Sequence, residues 1–297
     1  MMNHLNPNIA RPSRVVVLGA GGFIGGAIAR RLDADGIATL RLGRPDLDLL
    51  AEGASTQLAR ALRAGDTLVF ASAKAPCKDL AMLRDNLVMA EAVCTALAES
   101  PVAHVVYISS DAVYKDSPEP LTEASCAEPG SFHGLMHLSR EVALRTAHQG
   151  PLAIVRPTLV YGLDDPHNGY GPNRFRRLAA EGKEIVLFGE GEERRDHVDI
   201  EDVAELVHRI VLLRSDGVAN AVSGEVASFR ELAEFIAGEY PPAVDVKGSP
   251  RRGAMPHNGY RPFDNSATLA AFPGFRFKGW RQGLATGGPH APAARAK

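Results

Sequence analysis

Residues 14–19, Arg-Val-Val-Val-Leu-Gly, run straight into Gly19-Ala-Gly-Gly-Phe-Ile-Gly25. No other stretch limits the possible folds so tightly. A short β-branched apolar run reads as a parallel strand buried on both faces. Glycines at 19, 22 and 25 allow a tight turn and a close approach to the backbone. Ala27–Leu32 then reads as a helix that stops near Gly36. In that context the helix N-terminus is expected to face a pyrophosphate, because bare N–H groups and the helix dipole favour negative charge. Gly19, Gly22, Phe23, Ile24 and Gly25 are the expected contacts. The plainer alternative is a glycine-rich turn without a ligand.

The next strand, Ile37–Leu42, ends at Gly43-Arg44. An acidic residue there would hold the ribose 2′-OH of NAD, whereas Arg44 suits the 2′-phosphate of NADP. NADP is therefore expected over NAD, with a solvated surface Arg as the alternative. The alternation continues with a strand at 67–71, a helix at 80–97, a strand at 104–109, a helix at 138–147 and a strand at 152–156. Strands alternating with helices, without hairpin signals, predict an α/β fold with a doubly wound parallel (Rossmann) sheet. Its ligands would sit at the carboxyl ends of the strands. The expected organisation is a dinucleotide-binding domain at 14–162 and a smaller C-terminal substrate-binding lobe at 163–284. Some elements of the second part would return to the core. Residues 1–13 and the Gly/Pro/Ala-rich 285–297 are expected to be disordered tails.

Length and composition agree with that scale. The chain has 297 residues, 45% hydrophobic and 23% charged, as in ordinary soluble proteins. A net charge of −2 gives no steering towards nucleic acid or an anionic membrane. No apolar run is long enough to span a bilayer, and the first dozen residues lack the order of a signal peptide. Cys77, Cys94 and Cys126 show no C-x-x-C spacing and read as reduced thiols of a cytoplasmic protein. No metal site is expected.

Taken together, these residues resemble the extended short-chain dehydrogenase/reductase family, over roughly positions 14–284. That family comprises NAD(P)-dependent epimerases, dehydratases and reductases of sugar nucleotides. The resemblance implies that Asp48 contacts adenine and that Ala71, Ser72 and Ala73 lie along the cofactor. Asn86 resembles an Asn that opens a recurring helix. "VVYISSDAVY" implies that Ser110 binds the substrate oxygen, and Asp111 is similar to a residue of reductases that make deoxysugars. "RPTLVYG" and the stretch from Gly171 to Glu205 are also typical, the latter building a lobe that grips a nucleoside diphosphate. In it Asn173 stands at a helix head, as a cap or a substrate contact. Arg195 and Arg261 take the places of phosphate-binding arginines, and a guanidinium can grip phosphate through two N–H bonds. Alternatively they pair with acids such as Glu192, Asp196 and Asp264. Family members often dimerise through two helices, here 80–97 and 138–147, which implies a homodimer.

One departure stands out. Where the family keeps Tyr-x-x-x-Lys followed by Glu, this chain has His133, His137 and Glu141. The spacing puts both imidazoles on one helix face. Imidazole titrates near neutrality, so His133 is the expected acid/base, with Ser110 orienting the substrate oxygen. His137 would hold the cofactor ribose through a ring N–H. Two adjacent imidazoles resist being charged together. A different tyrosine, Tyr114, Tyr161 or Tyr170, could also reach the site. The functional expectation is an NAD(P)-dependent epimerase, dehydratase or reductase acting on a nucleotide sugar by hydride transfer. The alternative is a catalytically silent binder of dinucleotide or sugar nucleotide.

Overall fold

The computed structural model describes residues 2–166 and 168–285. The core begins with strands β1 (Asn3–His4) and β2 (Val15–Leu18), then helix α1 (Phe23–Ala34), β3 (Thr39–Leu42) and α2 (Ala54–Ala61). It continues through β4 (Thr67–Phe70), α3 (Leu80–Glu99), β5 (His104–Ile108), α4 (Phe132–Ala147) and β6 (Leu152–Pro157). Every side chain of β2, β4, β5 and β6 is buried, as the apolar runs predict for a sheet covered on both faces.

The chain then alternates between lobe and core: β7 (Leu159–Tyr161), α5 (Pro172–Ala180), β8 (Ile185–Phe188), β9 (Arg194–Asp199), α6 (Ile200–Leu213) and β10 (Ser215–Ala221). It ends with β11 (Val226–Ser228), α7 (Phe229–Glu239), β12 (Val246–Ser249), β13 (Tyr260–Arg261), α8 (Ser266–Ala271) and α9 (Trp280–Ala285).

Seven strands form the main sheet in the order β1-β10-β6-β5-β4-β2-β3. All neighbours run parallel except β1, which is antiparallel to β10. One face carries α1 and α6 over Val15, Val17, Val106 and Val155. The other carries α2, α3 and α4 over Val16, Leu18, Phe70 and Tyr107. From β2 the chain crosses to β3 on one side and to β4 on the other. That switch opens a crevice at the carboxyl ends of the strands.

The lobe has its own small core of Phe175, Ile185, Leu187, Phe229, Leu232 and Trp280. Strand β9 is its spine, flanked by β11, β13 and β7, while β8 pairs with β12.

One expectation changes. The leader is not frayed between residues 3 and 10. β1 covers the sheet edge, His4 bonds to Ser215 and to the Ala271 carbonyl, and Ala10 N–H reaches Leu212 O at 3.0 Å. Edge pairing satisfies backbone groups of a segment that carries no local strand signal. At the other end Ala285 closes α9, and the rest of the expected tail lies outside the described residues.

Candidate functional site

A long cleft crosses the carboxyl ends of the core strands. Its outer part, about 400 Å³, is lined by Gly19, Gly22, Gly43, Arg44, Asp48, Ser72 and Lys74. Its inner part, about 370 Å³, is lined by Phe23, Ile24, Gly25, Ser110, His133, His137 and Asn173. Gly22, Ala71 and Ala73 border both, so the two parts join.

The glycine turn has a steric reason. A Cβ on Gly25 would lie 2.2 Å from the Gly19 carbonyl oxygen, so α1 can sit this close to the turn only with glycine there. Its N-cap is Gly22, with no side-chain cap and no acidic residue in the first turn. The leading N–H groups of α1 are thus left for an anion. At the far edge Arg44 donates to Asp48 at 3.1 Å, and the Leu50 N–H and Arg44 hold the Asp48 carboxyl below its usual range. Lys74, which the sequence did not single out, adds a second cation here and pairs with Asp85 at 2.7 Å. These residues fit a dinucleotide: an uncapped helix start that could take a pyrophosphate and two cations at the outer edge of the cleft.

The floor at Ala71–Ala73 is braced from behind. Arg140 is fully buried, donating to Ser72 O at 2.8 Å and to the backbone and side-chain oxygens of Asn86 at 2.8 and 2.9 Å. Asn86 does not open a helix. Asp79 caps α3 through Met82 N–H, and Asn86 lies inside the helix, clamping both backbone groups of Lys74. Its side chain ties helix to floor, a long-range bond that no capping pattern reveals. Arg140 was missed too, although it lies on the same face of α4 as His137, Glu141 and Leu144.

Helix α4 contains the expected 138–147 stretch and begins at Phe132, where Ser131 caps it through Gly134 N–H at 3.1 Å, so His133 and His137 share one helix as their spacing predicts. A Cβ on Gly134 would meet the Ala112 carbonyl at 2.0 Å. That close contact brings His133 beside the Ser110 loop.

The two histidine rings lie edge to face, 4.7 Å apart between centroids. The backbone N–H of Cys77 donates to His133 Nδ1 at 3.3 Å. His137 Nδ1 lies 2.8 Å from the Tyr107 hydroxyl. Burial pushes the Tyr107 phenol up, and the facing Arg140 guanidinium offers only protons, so the phenol keeps its proton and donates it to Nδ1. Both rings therefore carry their single proton on Nε2. Among the described residues neither Nε2 has a hydrogen-bond partner, and both residues line the cleft. The neutral form is favoured at both rings: burial pushes His133 down, opposed by Asp111 and helped by Arg140, and burial holds His137 well below its usual range, helped by His133 and Arg140.

Glu141 is buried and takes a two-point bond from Arg156 at 2.9 and 2.6 Å, plus Ser109 Oγ at 2.6 Å. Ser109 is thereby occupied, and Ser110 borders the cleft with its Oγ accepting from Ala112 N–H at 3.1 Å.

The lobe residues fall differently from the sequence expectation. Arg261 is 1% exposed, and its guanidinium is committed to Asp111, to Asp116 and to the carbonyls of Asp111 and Tyr114. Arg195 pairs with Glu193 at 3.3 Å and Asp111 at 3.7 Å, while its Nε has no partner among the described residues. None of these acids is Glu192, Asp196 or Asp264: Glu193 is a near neighbour of Arg195 in the chain, whereas Asp111 and Asp116 are brought in by the turn that meets β9 and β13. Asn173 does not cap α5, whose N-cap is Gly171. It accepts from Gly162 N–H and donates to Asp165, each at 3.0 Å. Of the three alternative tyrosines only Tyr170 lines the cleft, whereas Tyr114 and Tyr161 are buried in the packing.

Among the described residues no three His, Cys, Asp or Glu are grouped to hold a metal ion, and no helix is long and apolar enough to cross a membrane. All three cysteines are free.

The profile of the NAD dependent epimerase/dehydratase family matches residues 15–222. The chain belongs to this family. Among curated relatives, the dTDP-L-rhamnose 4-epimerase of Burkholderia thailandensis is 33% identical over 139 residues, which is 43% of this chain and 38% of that protein. The alignment thus spans well under half of that relative. The UDP-glucose 4-epimerase of Thermus thermophilus, solved in complex with NAD, superposes with a TM-score of 0.82 at 23% identity, over 95% of this chain and 100% of that one. A GDP-L-fucose synthetase from Naegleria fowleri, bound to NADP, gives 0.81 at 17% identity, over 97% and 96%. At these identities the likeness is one of fold. The expected Rossmann-type α/β architecture is what these structures share.

Proposed function

We propose that this family member reduces a carbonyl group on a nucleotide-linked sugar, with NADPH preferred over NADH. The observation that carries this reading is the pair of Nε2–H donors on His133 and His137, facing the cleft beside Ser110. A bound nicotinamide in its reduced form supplies a hydride. The protein's own part is to polarise the carbonyl and hold the oxygen as charge develops on it. Neutral imidazole N–H groups suit that task, as preorganised donors do elsewhere. They do not suit removal of a proton from an alcohol, because neither ring turns a lone pair to the cleft. The acid/base role expected for His133 becomes that of an oxygen-binding donor, and the alkoxide takes its proton from water. His137 donates to the ribose or shares the oxygen.

Arg44 and Lys74 support the preference for a 2′-phosphate. Arg195 Nε, which has no partner among the described residues, supports a phosphate contact in the lobe. Arg261 serves instead to fix Asp111. Exposed Leu87 and Val88 on α3 and Leu135 and Val142 on α4 support a homodimer.

Calorimetric titration with NADPH and NADH, followed by NADPH oxidation assays on keto sugars linked to UDP, GDP or dTDP, tests the reading. Tighter NADPH binding and turnover that is level across neutral pH are expected. NADPH binding with no turnover on any keto sugar would leave a binding protein. No binding of either cofactor would remove the oxidoreductase reading.

A further inference from the structure

His197 lies on β9, lines the inner cleft and has no part in the chemistry above. It is 2% exposed. Its Nδ1 lies 3.1 Å from the Arg195 carbonyl oxygen. A carbonyl only accepts, so Nδ1 carries the proton of the neutral ring. Burial, and next the Arg195 guanidinium, push this ring down to about 3, so it is neutral at any working pH. Nε2 is then a bare lone pair. It is buried and has no hydrogen-bond partner among the described residues. Phe229 packs edge to face at 5.5 Å and has no N–H or O–H to give. Buried acceptors are rarely left like this, and one bordering a cleft calls for a donor from outside the chain.

Other groups of the same inner cleft have the opposite character. His133 and His137 present N–H groups, whereas His197 presents an acceptor. A ligand filling this cleft needs an acceptor oxygen for the first two rings and a donor for His197. A sugar ring with one carbonyl and several hydroxyls has both.

We propose that His197 Nε2 accepts a hydrogen bond from a hydroxyl of the substrate's sugar, so that the cleft selects a sugar hydroxylated at that position over its deoxy analogue. This rests on the reading of the cleft as a nucleotide-sugar site. Discrimination should be steep, because the deoxy analogue leaves a buried acceptor unpaired.

The test uses the full chain saturated with NADPH. UDP-glucose, UDP-N-acetylglucosamine, GDP-glucose and dTDP-glucose are titrated by calorimetry into wild type, His197→Phe and His197→Gln. The sugar that binds most tightly is then compared with its monodeoxy analogues. His197→Phe should weaken that sugar roughly 10- to 100-fold. It should leave NADPH affinity unchanged and let one deoxy analogue bind as well as the parent. His197→Gln, whose amide oxygen can accept, should recover part of the loss. In ¹⁵N-labelled wild type the His197 Nε2 resonance should move on sugar binding, a readout that needs no variant to fold. Equal affinity in wild type and His197→Phe would overturn the proposal, as would an unmoved resonance, which would mean that Nε2 serves only a buried water. Binding of NADPH but of no sugar in the panel would overturn it as well. Failure of NADPH to bind would remove the oxidoreductase reading alone, because the same sugar titrations without cofactor still decide the role of His197.

Discussion

The two ends of the cleft are made of different materials. The glycine end is built from backbone: an uncapped helix start, a tight turn and a Cβ-free approach between Gly25 and the Gly19 carbonyl. The histidine end is built from side chains whose direction is set by distant partners, Cys77 N–H for His133 and Tyr107 for His137. The first end needs only the right residues in the right local order. The second needs a buried framework, and Arg140 and Glu141 on α4 supply it.

The sharpest way to break the contrast is at that framework. Glu141→Ala would strand the buried Arg156 charge and should lower stability by about 3–5 kcal/mol. Chemical denaturation would measure it, and a loss below about 1 kcal/mol would mean that α4 does not depend on the ion pair.

Acid should act on the same end. The native pKa of His197 is about 3 and that of His137 is also depressed, so their contribution is complete above about 6.5 and is lost as pH falls below it. Each such ring should cost up to roughly 1.4 kcal/mol per pH unit below 6.5. Urea midpoints at pH 7.5, 6.5 and 5.5 should show a plateau followed by a fall. The buried Asp196 carboxyl, lifted to about 7, acts in the opposite sense, so the decisive comparison is with His197→Phe: its midpoint should fall less on acidification, and an equal fall would contradict a neutral His197.

Substitution at the glycine end should have a different profile. Gly25→Val forces a side chain onto the Gly19 carbonyl, costing about 1–3 kcal/mol and abolishing NADPH binding. Calorimetry with a parallel melting curve separates the two effects. Retained binding would mean that the turn tolerates a Cβ and does not need this close approach.

Tyr107→Phe is subtler. It leaves His137 Nδ1 without its donor and should cost about 1–2 kcal/mol. Its diagnostic readout is the tautomer, read from ¹⁵N–¹H correlations of the imidazole. The Nε2–H form should dominate in wild type and give way to a mixture in the variant. An unchanged pattern would show that Tyr107 does not set it.

The smallest change in stability is expected at Arg44, whose side chain is 80% exposed. Arg44→Ser should leave the melting temperature unchanged and narrow the preference for NADPH over NADH by about tenfold. Equal narrowing by Lys74→Ser would show that the two cations share the 2′-phosphate.

Much of the glycine end was legible because its signals are local. Val15–Leu18, the glycine spacing and Arg44 after the second strand lie within a short run of chain, and each acts through backbone geometry or an exposed charge. The lobe and the histidine end were legible only as candidate residues. Arg261 looked like a phosphate ligand until β13 was seen to bury it against Asp111 and Asp116. Asn173 looked like a cap until Gly171 took that place. Tyr107 was visible only as one apolar position of a buried strand, and nothing in its neighbourhood points to a histidine 30 residues away.

By itself the sequence determined the alternating parallel architecture, the place of the phosphate turn and the presence of two histidines on one helical face. Those follow from periodicities of two and 3.6 residues and from what glycine permits. Folding settled which nitrogen of each ring holds a proton, which acids each arginine meets and which acceptor has no partner among the described residues. Hydrogen bonds between residues 30 and 56 positions apart fix the two cleft-facing imidazoles, and the chain must fold before such donors and acceptors can meet.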